Sequence, residues 1–449
     1  MLDLDIKKYI KENISILFVL ICFSFIAVFN AFMNIGVIED GCHHFWEALV
    51  SENIWIGHEG INNFPFNSRY FPSLIQHLSV GILILLGITN IKILLFIFTL
   101  TSYLLPILIL LIIYLNIPKE KRNCFEIILL YFLTCMNFLI YQIWTENFLT
   151  GLFLWVIFVV YYYNDFSKLT KFNLISLISF SIFLISSHPM TAVFVIPMII
   201  FAMIKQYRTE NGTILTNIIL ALSYILLFVA FGFNLYFILK PIYPKDDYLL
   251  FEFCKEPAFT CFGVSVLFLL ITSLIKNNNK KTIILFNIIY CLICFGMLYF
   301  IPLEIQSSDG YMYRVLGFYV PLFLMIFILF KDLFKFVINY KNVRIINFVL
   351  VLIFLFHSLY YGALWNEYLF NVKDVMMKNE KIDFIHLSKY DLFHFHKLPY
   401  TFVIIPALFN IDPKFKIVLS KENFLYRHVQ NIVIVGTVPT TYFGMEEQP

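Results

Sequence analysis

The chain of 449 residues is poor in charge, because Asp, Glu, Lys and Arg make up only 14% of it, against about 25% in an ordinary soluble domain. Hydrophobic residues make up 60%, and the mean hydropathy is +0.82. These values exclude an ordinary soluble domain and predict a polytopic membrane protein. Lys and Arg form no tract, and the formal net charge is +3, so the sequence predicts no nucleic-acid partner.

The eight cysteines include no CxxC pair and show no spacing typical of a disulfide framework. Most of them, such as Cys22 and Cys135, lie inside apolar runs and are interpreted as small core residues. Cys42, Cys254 and Cys261 fall near one predicted face, and the sequence leaves their disulfide status open. The first apolar run is too long for a cleavable signal and lacks a small-residue cleavage site, so we expect it to stay as an anchor.

A helix needs about 20 apolar residues to cross the hydrocarbon core. The sequence predicts eleven spans, with soft edges, at 14–36, 91–116, 124–143, 147–163, 172–187, 190–204, 214–239, 258–275, 282–303, 314–330 and 345–364. One more apolar run, 73–89, competes with them. If it does not cross, the basic connections gather on one side and most acids on the other, as the positive-inside rule requires. If it crosses, the cluster Lys7–Lys11 and the cluster Lys119–Arg122 fall on opposite sides.

The predicted fold class is therefore an all-α polytopic membrane protein with about eleven transmembrane helices. Residues 1–365 form the membrane domain, and 37–90 form a first outer loop with interfacial helices, of which 73–89 is one. Residues 366–449 are predicted to form a small extracytoplasmic α/β domain, because short apolar runs at 402–405, 416–419 and 431–435 are bounded by turn residues. We expect a multi-pass protein of the plasma (inner) membrane, with the N-terminus cytoplasmic and the C-terminus extracytoplasmic.

The segment Glu39–Glu47 carries five ionisable side chains directly after the first predicted span. Charges at that depth are costly and persist mostly where they do chemistry or coordinate an ion. Asp40, His44 and Glu47 lie at helical offsets 0, 4 and 7, so a helix there would place them on one face. A carboxylate in that position can accept a proton from an acceptor hydroxyl or bind a divalent ion. The alternative is an interfacial helix whose polar side faces water.

Other candidates lie on the same predicted face. Arg69 and Arg314 can each grip a phosphate by paired hydrogen bonds, although Arg at a helix end often reaches to a lipid headgroup instead. The candidate substrate pocket consists of Glu39, His43, His44, Glu146, His188 and Asp309. The histidines lack the tight spacing of a zinc site such as HExxH. A hard cation such as Mg²⁺ or Mn²⁺, held by Asp40 with other oxygen ligands, is left open as a cofactor.

Two stretches carry a resemblance to the GT-C membrane glycosyltransferases, which include the protein mannosyltransferases and the aminoarabinose transferases. Glu39–Ala48 resembles the acidic motif that opens the first outer loop of that superfamily. Ser68–Leu74, running on to Leu85–Thr89, resembles the segment in which a basic residue precedes prolines and an interfacial helix. The chain departs from the pattern in having Glu39-Asp40 for the usual Asp-Glu and one proline where two often stand. The motifs cover the first 165 residues, and topology covers the rest.

The resemblance implies transfer of a sugar from a polyprenyl-phosphate-linked donor to a glycan, lipid or protein acceptor at the outer leaflet. Asp40 would be the base or metal ligand, and Arg69 or Arg314 would neutralise the donor phosphate; a single base implies inversion at the anomeric carbon. The main alternative is a multi-span transporter or flippase for a polar or lipid-linked solute. Few charges inside the spans and no obvious internal repeat argue against it. An O-antigen polymerase or ligase and a non-enzymatic scaffold also stay open.

Overall fold

The computed structural model of the chain describes residues 2–37, 45, 49, 70–138, 146–188, 191–208, 213–239, 339–378, 384–386 and 416–418. The helices in these residues are α1 (Leu2–Phe32), α2 (Tyr70–Leu85), α3 (Ile91–Asn116), α4 (Phe125–Phe138), α5 (Glu146–Tyr163), α6 (Lys171–Ile185), α7 (Thr191–Arg208), α8 (Ile214–Leu239) and α9 (Tyr340–Lys378). Short 3-10 turns are η1 (Ile35–Val37), η2 (Lys119–Cys124) and η3 (Phe166–Lys168). Two strands are β1 (Phe384–His386) and β2 (Lys416–Val418).

Four of these helices are long and apolar enough to cross a membrane. The qualifying segments are Asn13–Phe32 of α1, Ile91–Asn116 of α3, Ile214–Tyr236 of α8 and Tyr340–Asn371 of α9. Shorter apolar segments occur in α5, α6 and α7. The described part of the chain therefore has the helices of a membrane protein. The predicted spans 258–275, 282–303 and 314–330 lie outside the described residues, so the count of eleven stays a prediction.

The C-terminal ends of α3, α5 and α7 lie together at one end of the bundle. The Tyr114 hydroxyl near the end of α3 donates to the Asn13 amide oxygen in α1. Asn164, directly after α5, donates through Nδ2 to the carbonyl of Asn116 at 2.9 Å. Near the end of α7, Lys205 Nζ donates to the carbonyls of Tyr161, Tyr162 and Asn164 at 2.8, 2.8 and 2.6 Å. These bonds place the ends of α3, α5 and α7 at the same level.

We call this the basic end, because the described helix ends and connections there are rich in Lys and Arg. The basic residues are Lys119, Lys121, Arg122, Lys168, Lys171, Lys205, Arg208, Lys341 and Arg344. At this end Thr170 caps α6 with a capping box, in which Asn173 N–H donates to Thr170 Oγ1 at 3.1 Å. The Ser167 backbone N–H donates to the Asp165 carboxylate and holds the pKa of that carboxyl below its ordinary value.

A buried ion pair joins α1, α4 and α9 at the basic end. Arg344 Nε lies 2.7 Å from Glu126 Oε1, and the Ser15 hydroxyl donates to the same oxygen at 2.7 Å. Asn347 Nδ2 donates at 2.9 Å to Glu126 Oε2 and at 2.9 Å to the Glu126 carbonyl. The Glu126 side chain is only 4% exposed, so its charge is neutralised inside the bundle by a cation and two neutral donors. Three helices are thereby tied together at one carboxylate.

At the opposite end, α2 and α3 form a hairpin. The turn passes through Gly87, whose φ of +80° lies in the left-handed region that favours glycine. Asn90 then caps α3 by accepting the Lys92 backbone N–H at 3.0 Å. Further along the pair, the Ser79 and Thr101 hydroxyls are hydrogen-bonded at 2.9 Å. The predicted helix at 73–89 is thus present as α2, packed along α3.

The beginning of α2 lies partway along the bundle. The Phe71 backbone N–H donates to the carbonyl of Ser186, the residue directly after α6, at 2.9 Å. Helix α6 has 15 residues and starts at the basic end, so its last turn lies about 22 Å from that end. Helix α2 therefore runs from that level towards the hairpin turn. The prediction that this segment does not cross the membrane stays a prediction.

Helix α9 extends beyond the predicted domain boundary. Trp365 Nε1 donates to the Asn34 carbonyl at 3.1 Å, which ties α9 to the end of α1 opposite the basic end. The helix then continues through residue 365 to Lys378. Strands β1 and β2 pair in parallel, and β2 coincides with the predicted strand at 416–419. The predicted strands at 402–405 and 431–435 lie outside the described residues, and the α/β domain stays a prediction.

Candidate functional site

The chain on both sides of Asp40 is held against one turn of α3. Turn η1 ends at Val37, and a methyl group at Gly36 would overlap the Thr99 side chain, so η1 touches α3 with no side chain between them. After the Asp40 segment, the Phe45 ring lies 5.4 Å from the Phe98 ring. Phe45 is fully buried, as is Leu49 one helical turn later. The two ends of the acidic segment therefore dock on neighbouring residues of α3.

The segment that follows Arg69 docks on the same turn of α3. Ser79 of α2 is hydrogen-bonded to Thr101, which lies two and three residues after the positions that receive Gly36 and Phe45. We call Phe98, Thr99 and Thr101 the platform turn. The platform turn contacts the chain before Asp40, the chain after His44 and, through Ser79, the middle of the helix that follows Arg69.

The start of α2 also reaches the turn between α6 and α7. Phe71 donates to the Ser186 carbonyl, two residues before His188. His188 is buried, and its carbonyl accepts the Thr191 backbone N–H at 2.9 Å. The Ser187 and Thr191 hydroxyls are hydrogen-bonded at 3.0 Å. The described residues on the two sides of this turn are hydrogen-bonded to each other and to the beginning of α2.

The side-chain amide of Asn234 caps the C-terminal end of α6. Asn234 of α8 donates through Nδ2 to the carbonyls of Leu184 and Ile185, each at 3.0 Å, and to the carbonyl of Ala230 at 2.7 Å. The last carbonyls of a helix have no partner inside the helix and need one elsewhere when they are buried. Asn234 supplies that partner and fixes the position of the turn that bears His188.

The sequence-predicted site residues fall into two groups. Glu146 and His188 are described: Glu146 is the first residue of α5, at the end of that helix opposite the basic end, and His188 is buried in the α6–α7 turn. The others lie outside the described residues, namely Glu39, Asp40, His43, His44, Arg69, Asp309 and Arg314. In the described part of the chain, no group of three or more His, Cys, Asp or Glu could hold a metal ion. The predicted Mg²⁺ or Mn²⁺ at Asp40 stays a prediction.

Sequence reasoning missed the residues that position the site. The predicted span 14–36 includes Gly36, and the apolar run 91–116 includes the polar positions Thr99, Thr101 and Ser102. A glycine at the end of a span and three hydroxyl residues within one helical turn were the available signals. They indicate a close approach of the backbone and a polar contact surface, but they do not say which segments meet.

Replacing Gly36 by Ala is expected to weaken the docking of η1 on α3, because the new methyl group overlaps Thr99 Oγ1 and lies 3.2 Å from Leu95 Cδ1. Overpacking of this kind costs about 1–3 kcal/mol, measured as a lower unfolding temperature in detergent. Gly232→Ala is the matched control, because nothing lies within 4 Å of a methyl group there. Adding Thr99→Ala to Gly36→Ala should restore much of the loss; no recovery in the double variant would contradict this contact.

Among the described residues, the platform turn contacts Gly36 and Phe45 on the two sides of Asp40 and Ser79 of the helix that follows Arg69. Asp40 and Arg69 themselves lie outside the described residues. Comparison of the chain with protein-family models, with curated proteins and with solved structures found no match.

Proposed function

We propose that the chain is a membrane glycosyltransferase that moves a sugar from a polyprenyl-phosphate donor to a glycan, lipid or protein acceptor. Asp40 acts as the base or as a ligand of a divalent cation, and Arg69 or Arg314 neutralises the donor phosphate. The observation that carries the proposal is the platform turn, which anchors the chain on both sides of Asp40 and the helix that follows Arg69.

Chain length limits how far the two key side chains can lie from this turn. Asp40 is three residues after Val37, and Arg69 is two residues before Phe71. An extended chain spans at most about 3.6 Å per residue. The Asp40 backbone is therefore within about 11 Å of η1, and the Arg69 backbone is within about 7 Å of the start of α2. Ser79, which contacts the platform turn, lies eight residues after Phe71, about 12 Å along α2. The Arg69 backbone is therefore within about 19 Å of the platform turn, and the proposal requires the long Arg69 side chain to extend towards Asp40.

The distribution of Lys and Arg indicates which end of the bundle faces the cytoplasm. Connections rich in Lys and Arg stay in the cytoplasm, so we infer that the basic end is cytoplasmic and that the platform turn faces the outer half of the membrane. Glu146 begins α5 at that end, and we place it with His188, His43, His44, Glu39 and Asp309 around the sugar. Large apolar side chains exposed near this end, such as Phe32, Leu86 and Ile93, offer a surface to the polyprenyl tail.

The proposal is tested with the purified chain in proteoliposomes that contain a labelled polyprenyl-phosphate sugar and an envelope extract as the source of acceptors. We expect release of polyprenyl phosphate together with transfer of the label to an acceptor. If the labelled lipid instead crosses to the other leaflet with its sugar still attached, the transporter hypothesis is correct. If the lipid neither reacts nor moves with any hexose or pentose donor tried, the proposed function is wrong.

A further inference from the structure

The chain turns back on itself directly after α1. The Phe32 ring lies 5.1 Å from the Phe96 ring of α3. Gly36 abuts Thr99, which is three residues nearer the basic end. The reversal occurs at Asn34, whose φ of +56° lies in the left-handed region. Residues other than glycine seldom adopt that conformation, although Asn tolerates it better than most. The direction in which the chain leaves α1 therefore depends on one unusual backbone position.

Trp365 of α9 holds this reversal. Its indole Nε1 donates to the Asn34 carbonyl at 3.1 Å, and the residue is only 1% exposed. The Tyr368 ring, one turn further along α9, stacks on the indole at 5.3 Å with an angle of 29° between the ring planes, which orients the indole N–H. A left-handed residue persists where the surrounding structure over-determines it, and the buried indole does so here.

Helix α9 also packs closely on both α1 and η1. A methyl group at Gly362 would lie 2.5 Å from Phe29 Cε1 of α1 and 3.5 Å from Ile35 Cδ1 of η1. On the opposite side of η1, a methyl group at Gly36 would overlap the Thr99 side chain of α3. Turn η1 is therefore held between α9 and α3, with a glycine at each contact.

The position of Trp365 is itself fixed from the far end of α9. Arg344 Nε lies 2.7 Å from Glu126 Oε1 at the basic end. Midway along the helix, the Phe354 ring stacks on the Phe23 ring of α1 at 4.7 Å. Trp365 follows Arg344 on the same helix by about 32 Å along its axis. A helix tied down along its length cannot slide past α1 without losing these contacts, so the indole is a fixed point for the end of α1.

We propose that Trp365 is a positioning residue for sugar transfer: by holding the Asn34 carbonyl, it sets the path of the chain that carries Asp40. The inference rests on the proposed function, because the role of Asp40 is assigned there. Asp40 follows η1 by three residues, whereas the donor phosphate is assigned to Arg69 or Arg314 on other segments. Loosening the turn therefore displaces the carboxylate and leaves the phosphate contact in place. A displacement of about 1 Å can lower a rate about 10²-fold, so the chemical step is affected more than donor binding.

The hold on η1 is tested by a nitroxide spin label at Val37→Cys, in the full chain with its native cysteines replaced, in nanodiscs. We expect an immobilised label that becomes clearly more mobile in Trp365→Phe, which removes the indole N–H and keeps an aromatic ring. Trp155→Phe is the matched control and should leave the label unchanged, because Trp155 is buried and its Nε1 makes no hydrogen bond among the described residues. Gly362→Ala disturbs the same contact by overlap with α1 and should also mobilise the label. A label that stays as immobile in Trp365→Phe and Gly362→Ala as in Trp155→Phe overturns the inference.

Transfer kinetics separate a positioning role from a merely structural one. In proteoliposomes with the labelled lipid-linked donor, Trp365→Phe should lower kcat about tenfold and change the KM for the donor by less than about twofold. Trp155→Phe should change neither. An unchanged kcat in Trp365→Phe, or a loss confined to KM, overturns the inference and leaves the proposed function intact. If the parent chain releases polyprenyl phosphate from none of the donors, the proposed function is wrong and the role of Trp365 in transfer falls with it, whereas the spin label still reports whether η1 is held.

Discussion

Replacing Asp40 by Asn lowers the rate of sugar transfer by about 10²- to 10⁴-fold, the usual effect of removing a general base. The amide has nearly the same size as the carboxylate but cannot take the proton of the acceptor hydroxyl. The chain on both sides of residue 40 is anchored by Gly36 and Phe45, so the exchange leaves the loop docked. Insertion into the membrane and the unfolding temperature are therefore expected to stay unchanged.

The matched control for this variant is Glu59→Gln, which neutralises another acid of the first outer loop and should change the rate less than twofold. Titration with Mn²⁺ separates the two roles of Asp40. If the carboxylate is a base, Asp40→Asn keeps the metal response of the wild-type protein; if it is a metal ligand, the response is lost together with activity. Transfer at the wild-type rate in Asp40→Asn would remove this residue from the mechanism.

Replacing Arg344 by Met is expected to destabilise the protein by about 3–5 kcal/mol, because it leaves a buried carboxylate without its cation. The Glu126 side chain is 4% exposed and that of Arg344 is 29% exposed, so water cannot fully replace the guanidinium. Ser15 and Asn347 would still donate to the carboxylate, but they carry no charge. The unfolding temperature should fall by roughly 5–10 °C.

Two further variants test whether the loss comes from the unpaired charge. Glu126→Met combined with Arg344→Met should recover much of the stability, since exchange of a whole buried pair for apolar residues is often neutral. Lys168→Met is the control, because the pair of Lys168 with Asp165 spans 4.0 Å and is mostly exposed; its loss should cost less than about 1 kcal/mol. A double variant as unstable as Arg344→Met would show that the helix contacts themselves, and not the charge, are what is lost.

Hydropathy predicts helices well where an apolar run is bounded by capping residues. The predicted spans 91–116 and 214–239 coincide with α3 and α8. Helix α3 starts at its cap Asn90 and ends two residues before Pro118, which explains why its bounds are sharp. For α9, hydropathy predicted 345–364 and the helix is Tyr340–Lys378. The apolar window marks only the part that suits lipid, whereas helical hydrogen bonding continues through the polar residues on both sides.

The candidate site could be predicted only in part, because it depends on contacts between segments and not on the hydropathy of one segment. Charge and position pointed to Asp40 and Arg69, because an acid or a cation at a membrane boundary is a strong local signal. The platform turn depends on contacts between residues far apart in sequence, such as Gly36 with Thr99 and Ser79 with Thr101. No periodicity within one segment contains that information.

The most direct test of the account is side-specific labelling of Asp40→Cys by a membrane-impermeant thiol reagent, in a chain whose native cysteines are replaced. Lys92→Cys reports the end of the bundle that holds the hairpin turn, and Lys168→Cys reports the basic end. We predict that Asp40→Cys reacts from the same side as Lys92→Cys and that polyprenyl phosphate slows its reaction while leaving that of Lys92→Cys unchanged. Reaction from the side of Lys168→Cys, or no protection by the lipid phosphate, would contradict the account.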